Sequence, residues 1–297
     1  MSGRSVTDVA DGVFAVVNAD GSHGLANSCV LLDGRTATVV DTMLTPAMAQ
    51  AVKDAVRHRG AEATQVLNTH NHMDHLGGNA AFPEAHIAAH PTTAWIIGRM
   101  AEEHDWLPGL FPPYADELAD LEFRSPTAVP DELELPAGAR LLVHEKAHSP
   151  VDLAVWLPGQ RVLVSGDLCV NGVVPLARHG SLTRWAEALD ALLALGPRVV
   201  VPGHGAPTGA ATLQAVRDYL RAVLAAGAEL LAAGESRDGH DEARDPQGEA
   251  RDAVDEALAG VDLGPVGDWR EPGRHRINLE VAMAELSGTP LPVGPPR

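Results

Sequence analysis

Thr69-His70-Asn71-His72-Met73-Asp74-His75-Leu76-Gly77-Gly78-Asn79 puts three histidines and an aspartate within six residues, directly after the strand-like run Val66-Leu67-Asn68. Imidazole and carboxylate are the ligand types of zinc, and equally of iron and manganese. A turn at a strand end can aim several such donors into one space, and Gly77-Gly78 lets the backbone bend sharply behind them. A single His-x-His is often only a polar loop. His-x-His-x-Asp-His after a strand is much harder to explain that way.

Three further donors stand in equivalent settings downstream. His148 follows the strand-like Leu141–His144 in Ala147-His148-Ser149-Pro150, and Asp167 closes Val162-Leu163-Val164-Ser165-Gly166-Asp167. His204 closes Val199-Val200-Val201-Pro202-Gly203-His204. Each donor follows a short apolar run and is flanked by turn residues, so all can gather along one sheet edge.

With these motifs in place, the chain resembles the metallo-β-lactamase-fold hydrolase superfamily from about Val13 to Thr208. The resemblance implies an α/β fold, a four-layer αββα sandwich, with the metals at one edge of its two sheets. It implies a first metal on His70, His72 and His148, and a second on Asp74, His75 and His204, with Asp167 between them. It further implies that Asp41, in Val39-Val40-Asp41-Thr42, supports the site from behind, as an outer carboxylate that orients a ligating histidine and fixes its tautomer. The expected cofactor is two Zn2+, with Fe or Mn as alternatives. The implied chemistry is hydrolysis of an acyl bond (thioester, ester or lactone) by a metal-bridging hydroxide, with Asp74 as the catalytic carboxylate.

Departures from the branches of the superfamily narrow the reaction. The best-known zinc β-lactamases carry cysteine where Asp167 stands and lysine three residues later, where this chain has Val170. The complete histidine set differs from the diiron flavoproteins, which replace one histidine with glutamate. Glyoxalase II-type thioester hydrolases share His-x-His-x-Asp-His and the bridging aspartate. A nearer similarity is to actinobacterial aromatic-polyketide cyclase/thioesterase proteins of this fold. It rests on Asp152-Leu153-Ala154-Val155-Trp156-Leu157-Pro158, on Asn171-Gly172-Val173-Val174-Pro175 after Ser165-Gly166-Asp167-Leu168, and on Arg217-Asp218-Tyr219-Leu220. The alternatives are an iron-dependent persulfide dioxygenase and a promiscuous β-lactamase-like amide hydrolase.

Composition bounds the rest. The 297 residues hold 22 Lys+Arg against 40 Asp+Glu, a net charge of 22 − 40 = −18. That field disfavours nucleic acid and anionic membrane surfaces as partners and leaves a small acyl substrate, free or carrier-bound. A hydrophobic share of 45% with 21% charged residues is that of a globular chain with a real core. Two cysteines, Cys29 and Cys169, make no disulfide framework. With no apolar leader in Met1–Gly12 and no run of about 20 apolar residues, a cytoplasmic location is expected.

The local pattern predicts a hairpin of Asn27–Leu32 and Thr36–Val40 around Asp33-Gly34. It predicts a helix from Thr45-Pro46 to Gly60, a second from Ser181 to Leu195, and a third through Leu213–Leu224. Ile87–Ala89 reads as a further strand, Glu102–Pro136 as a Pro-rich insertion over one face, and Ile277–Leu286 as a short helix. The expected division is a catalytic domain over 1–230 and an acidic linker with a helical extension over 231–297. The acidic run Glu235–Glu256 carries nine acids and three arginines. His23, in the Gly-rich Asp20–Gly24 turn, and His179, beside Arg178, are the candidate substrate contacts at the rim. Trp95, Trp106, Phe111 and Tyr114 are candidates for an apolar wall.

Overall fold

The computed structural model describes residues 3–136, 138–235 and 254–289. Two sheets face one another. The first has the order β1 (Ser5–Ala10), β2 (Val13–Val17), β3 (Ser28–Asp33), β4 (Thr36–Val40), β5 (Glu62–Leu67) and β6 (His86–Ala88). Its first four strands pair antiparallel, and β4, β5 and β6 run parallel. The second has the order β10 (Val199–His204), β9 (Val162–Val170), β8 (Val151–Leu157) and β7 (Arg140–Glu145), with only β10 and β9 parallel.

Strand alternation builds four layers. Val13, Ala15 and Val17 of β2 point inward to meet Leu153, Val155 and Leu157 of β8 between the sheets. Phe14 and Val16 point outward under Met48, Val52 and Val56 of α1 (Pro46–His58). Ala154 and Trp156 point the other way, toward Trp185 and Leu189 of α6 (Leu182–Ala194) and Leu213 and Val216 of α7 (Ala210–Glu235). Both faces of β2 and β8 are therefore buried, which is why each reads as an unbroken apolar run rather than an alternating one.

Helix starts follow their caps. The Thr45 side chain accepts from Met48 N at 3.2 Å with Pro46 at the first turn, and Ser181 Oγ accepts from Arg184 N at 3.1 Å. Gly34 takes φ +59 in the β3–β4 hairpin, as the Asp-Gly signal requires. Helices α2 (Met73–Leu76) and α3 (Pro91–Glu102) precede the Glu102–Pro136 insertion, which itself forms the short helices α4 (Leu107–Leu110) and α5 (Ala115–Ala119) and no strand among its described residues. Helix α7 runs unbroken across residue 230, and α8 (Gly273–Ser287) packs against it through Leu279, Val281 and Ala282. Most of the acidic run, residues 236–253, lies outside the described residues, as does the Pro-rich end from 290. No helix among the described residues is long and apolar enough to cross a membrane.

Candidate metal centre

Parallel neighbours end on the same side of a sheet, and the site forms where four such ends meet. In the first sheet, Val40 pairs with Leu67, so Asp41 and Thr69 emerge side by side. Thr69 N and Oγ1 donate to the two Asp41 carboxylate oxygens, each at 2.8 Å. The chain then makes the His70–His72 turn and the single helical turn of α2, which carries Asp74 and His75. Gly77 and Gly78 fold this turn back onto Thr42–Leu44. A Cβ at Gly77 would stand 1.9 Å from Leu44 O, and one at Gly78 2.0 Å from Thr42 O. Asn68 and Asn79 lock the base of the turn with a reciprocal amide pair at 2.9 and 3.1 Å.

The second sheet supplies the other donors. His148 sits in the turn between β7 and β8, which is tied to the first sheet by Leu153 N donating to Thr69 O at 2.9 Å. Asp167 lies within β9 and His204 ends β10. At Gly203 a Cβ would stand 1.9 Å from Asp167 Oδ1, so that glycine makes room for the carboxylate.

The seven donors converge as two groups whose ligand atoms lie within 4.8 Å of one another. One is His70, His72, His148 and Asp167, and the other Asp74, His75 and His204. Asp167 joins the two. Its Oδ2 is 3.3 Å from His148 Nε2, 4.0 Å from His70 Nε2 and 3.6 Å from His204 Nε2, and its Oδ1 is 3.2 Å from His75 Nε2. His204 Nε2 is 3.3 Å from Asp74 Oδ2.

The outward nitrogens decide what the inward ones can do. His75 Nδ1 donates to Asp41 Oδ2 at 2.8 Å, and His204 Nδ1 donates to Gly21 O at 2.8 Å. Thr69 Oγ1 gives its proton to Asp41, so it accepts from His70 Nδ1 at 2.9 Å. His72 faces the other way round, with Nε2 2.8 Å from His179 Nδ1. Three imidazoles, those of His70, His75 and His204, thus have one ring nitrogen engaged outward and the other turned toward the centre. His148 Nε2 and His72 Nδ1 meet there at 3.0 Å, and buried His70 Nε2, His75 Nε2 and Asp167 Oδ1 have no hydrogen-bond partner. Nitrogens and carboxylate oxygens gathered at such distances need protons or a metal cation among them. Tetrahedral zinc with bonds of about 2.0–2.1 Å sets its ligands roughly 3.3 Å apart. The donor set fits divalent metal.

Charge agrees with geometry. Burial pushes His70 and His72 well below the ordinary imidazole range and His148 down to about 4, so these three stay neutral and ready to ligate. Burial would also raise Asp74 and Asp167, but the surrounding histidines outweigh it and hold both carboxyls low and ionised. At His75, burial is outweighed in the opposite sense by Asp167 and Asp41, which hold its imidazole well above the usual range.

The rim residues sort differently. His23 is exposed and stacks on Phe111 with ring centres 4.6 Å apart, and its backbone N donates to Glu271 Oε1 at 2.6 Å. Its turn also supplies the Gly21 carbonyl that orients His204. His179 stands directly behind His72, a placement its distance in sequence did not reveal. Of the four candidate wall aromatics, Phe111 is buried under the His23 turn, whereas Trp95 is 68% exposed on α3. Cys169 is buried outside both donor groups, and burial raises its thiol pKa. Sequence reasoning passed over Thr69, although it directly precedes the motif, and it gave no role to Asn79.

The αββα sandwich with this His/Asp cluster at its edge has clear relatives. The family model for the metallo-beta-lactamase superfamily matches residues 23–204, well over half of the chain, and the chain belongs to that superfamily. Among curated proteins it is 26% identical over 177 residues to a hydroxyacylglutathione hydrolase of Rhodospirillum rubrum, covering 60% of this chain and 61% of that one. A second hydroxyacylglutathione hydrolase, from Methylococcus capsulatus, is 31% identical over 150 residues, 50% of this chain and 51% of its own length. The chain therefore aligns with less than two thirds of either relative. Among solved structures, a metallo-beta-lactamase from Pontibacter korlensis superposes with a TM-score of 0.59 at 18% identity, covering 74% of this chain and 99% of that one.

Proposed function

We propose that this chain is a binuclear metal-dependent hydrolase, with zinc as the metal, that cleaves the acyl bond of a thioester. The observation that carries the reading is the set of seven donors, six buried and His72 partly so, in two groups joined by Asp167, with a ring nitrogen of each histidine facing inward. When bound, a pair of divalent ions polarises an acyl carbonyl and makes a water molecule a nucleophile near neutral pH. His70, His72 and His148 would hold one ion, Asp74, His75 and His204 the other, and Asp167 would reach both.

The protein's own groups do the rest. Asp41 and Thr69 set the rings of His75 and His70, and Gly21 O sets that of His204, so the centre is formed before substrate arrives. Asp74, kept ionised by His204 and His75, is the carboxylate placed to take a proton from the attacking water and pass it to the leaving group. The His23 turn, backed by buried Phe111, carries the Gly21 carbonyl that orients His204. Thioesters are favoured because both hydroxyacylglutathione hydrolase relatives are thioester-cleaving by name, and because Val170 is buried and apolar where a carboxylate-binding lysine would serve a β-lactam. A carrier-bound polyketide acyl chain is the specific substrate that the motifs around Asp152 and Asn171 favour.

A panel of thioesters, esters, lactones and β-lactams, assayed on zinc-loaded protein with and without chelator, tests this. The expected result is thioester cleavage that chelator abolishes and zinc restores. Fully loaded protein that cleaves no acyl compound would refute it, as would one iron per chain with oxygen uptake.

A further inference from the structure

His179 lies on the segment joining β9 to α6, and α8 together with the residues leading into it holds that segment from end to end. Arg270 N donates to Gly172 O and Val174 N donates to Arg270 O at 2.9 Å. Arg274 Nη1 donates to Val174 O at 2.8 Å. Asn278 Nδ2 donates to Pro175 O at 2.7 Å while its Oδ1 accepts from Ala177 N at 2.9 Å. Glu285 accepts from Ser181 Oγ and Leu182 N, each at 2.8 Å. Positions 274, 278 and 285 recur at helical spacing, so one face of α8 reads out the whole segment.

Asn278 is itself fixed. It is fully buried, and its second amide hydrogen goes to Tyr219 Oη at 2.7 Å, so none of its hydrogen-bonding capacity for holding the segment is left to drift. On the far side of His179, Gly180 packs so closely that a Cβ would stand 1.8 Å from Ala147 O, and Ser181 N donates to Lys146 O at 2.9 Å. Asn278 thus pins the chain two residues before His179, and Glu285 with the His148 turn pins it one or two residues after. What is delivered between the pins is His179 Nδ1, 2.8 Å from His72 Nε2, with the rings edge to face at 5.0 Å.

We propose that His179 is a positioning residue for the first donor group, held in place by the C-terminal helix. By accepting the His72 Nε2 proton it fixes the tautomer that leaves His72 Nδ1 open toward His148 and Asp167. This deepens the metal-centre reading and rests on it. It also gives the C-terminal helix a function at the site that it does not touch.

The test is competitive titration of metal-free protein with Zn2+ against a chromophoric chelator, which resolves two binding steps in the wild type. In His179→Leu one step should weaken by roughly 10–100-fold while the other stays near wild type. His179→Asn, whose side-chain oxygen replaces Nδ1 as acceptor, should recover most of that loss. Asn278→Ala should weaken the same step by a smaller factor. Thermal unfolding of each metal-free variant separates a folding defect from a site defect. His179→Leu binding both equivalents as the wild type does would overturn the proposal, and a wild type that takes up no metal would overturn it together with the centre. Selective loss of one step in a chain that cleaves no acyl compound would still establish the role, so the two readings fail separately.

Discussion

Asp41, whose own backbone sits at φ +62, accepts the Nδ1 proton of His75 at 2.8 Å. A non-glycine residue in this region carries strain of about 1–3 kcal/mol, although aspartate is among those that tolerate it best. The strain is held by Asp41 N donating to Leu67 O at 2.9 Å and by Thr69 donating twice to the carboxylate. Through Thr69 Oγ1 the same carboxylate reaches His70. One side chain therefore orients a histidine of each donor group.

Substituting Asp41 separates its two jobs. Asp41→Asn tolerates the same backbone but loses the charge and one acceptor oxygen, so metal affinity should fall roughly 10–100-fold while the metal-free melting temperature drops less than in Asp41→Ala. Asp41→Ala should lose affinity and also stability, because the left-handed backbone is then unsupported. Chelator competition and thermal unfolding measure both; equal affinity in Asp41→Asn and wild type would remove Asp41 from the centre.

Glycine substitutions should split by position. Gly78→Ala drives a methyl to within 2.0 Å of Thr42 O, so backbone must move and the site turn with it. A loss of about 3 kcal/mol or more in denaturant unfolding is expected. Gly98→Ala, inside α3 with nothing near its Cβ, should instead gain about 0.5–1 kcal/mol from helix propensity. A neutral Gly78→Ala would mean that the turn is looser than its contacts require.

Acid should act against the metal-free fold through its lowered histidines, His70, His72 and His148. His148 titrates near 6.5 when unfolded and near 4 when folded, so between those values the unfolded chain binds more protons. The His148 share of stability then rises with pH across that window, while Asp152, whose carboxyl burial raises to about 7, contributes the opposite slope. The share from His148 is on the order of 3 kcal/mol. His70 and His72, lowered by the same burial, add slope of the same sign as His148, and raised His75 acts only above 6.5. A melting-temperature series from pH 7 to pH 4 on wild type and His148→Gln measures it, and the variant should show the shallower decline.

Much of this was legible from local pattern because local physics governs it. Thr45-Pro46, Asp33-Gly34 and Ser181 act through their own neighbours, and their elements appear where those signals stand. Six of the seven donors were readable because each ends a strand or follows one, whereas β9 runs on past Asp167 to Val170. Strand β1, with exposed Ser5, Val6 and Asp8 on an edge, offers little apolar alternation, β2 is a short all-apolar run, and α3 opens on His90-Pro91, where an imidazole does the capping that Ser, Thr, Asp or Asn more often does. The hold of Asn278 and Glu285 on the His179 segment spans more than 100 residues, so no window of sequence contains it. His179 therefore read as a rim residue, when its ring nitrogen stands behind His72.

The central claim is that two metal ions occupy the Asp167-joined donor groups, and elemental analysis of protein reconstituted with excess Zn2+ and desalted tests it most directly. The account predicts about two zinc ions per chain in the wild type, with His72→Ala retaining about one. Wild-type protein that retains no metal, or one iron in preference to zinc, would contradict it.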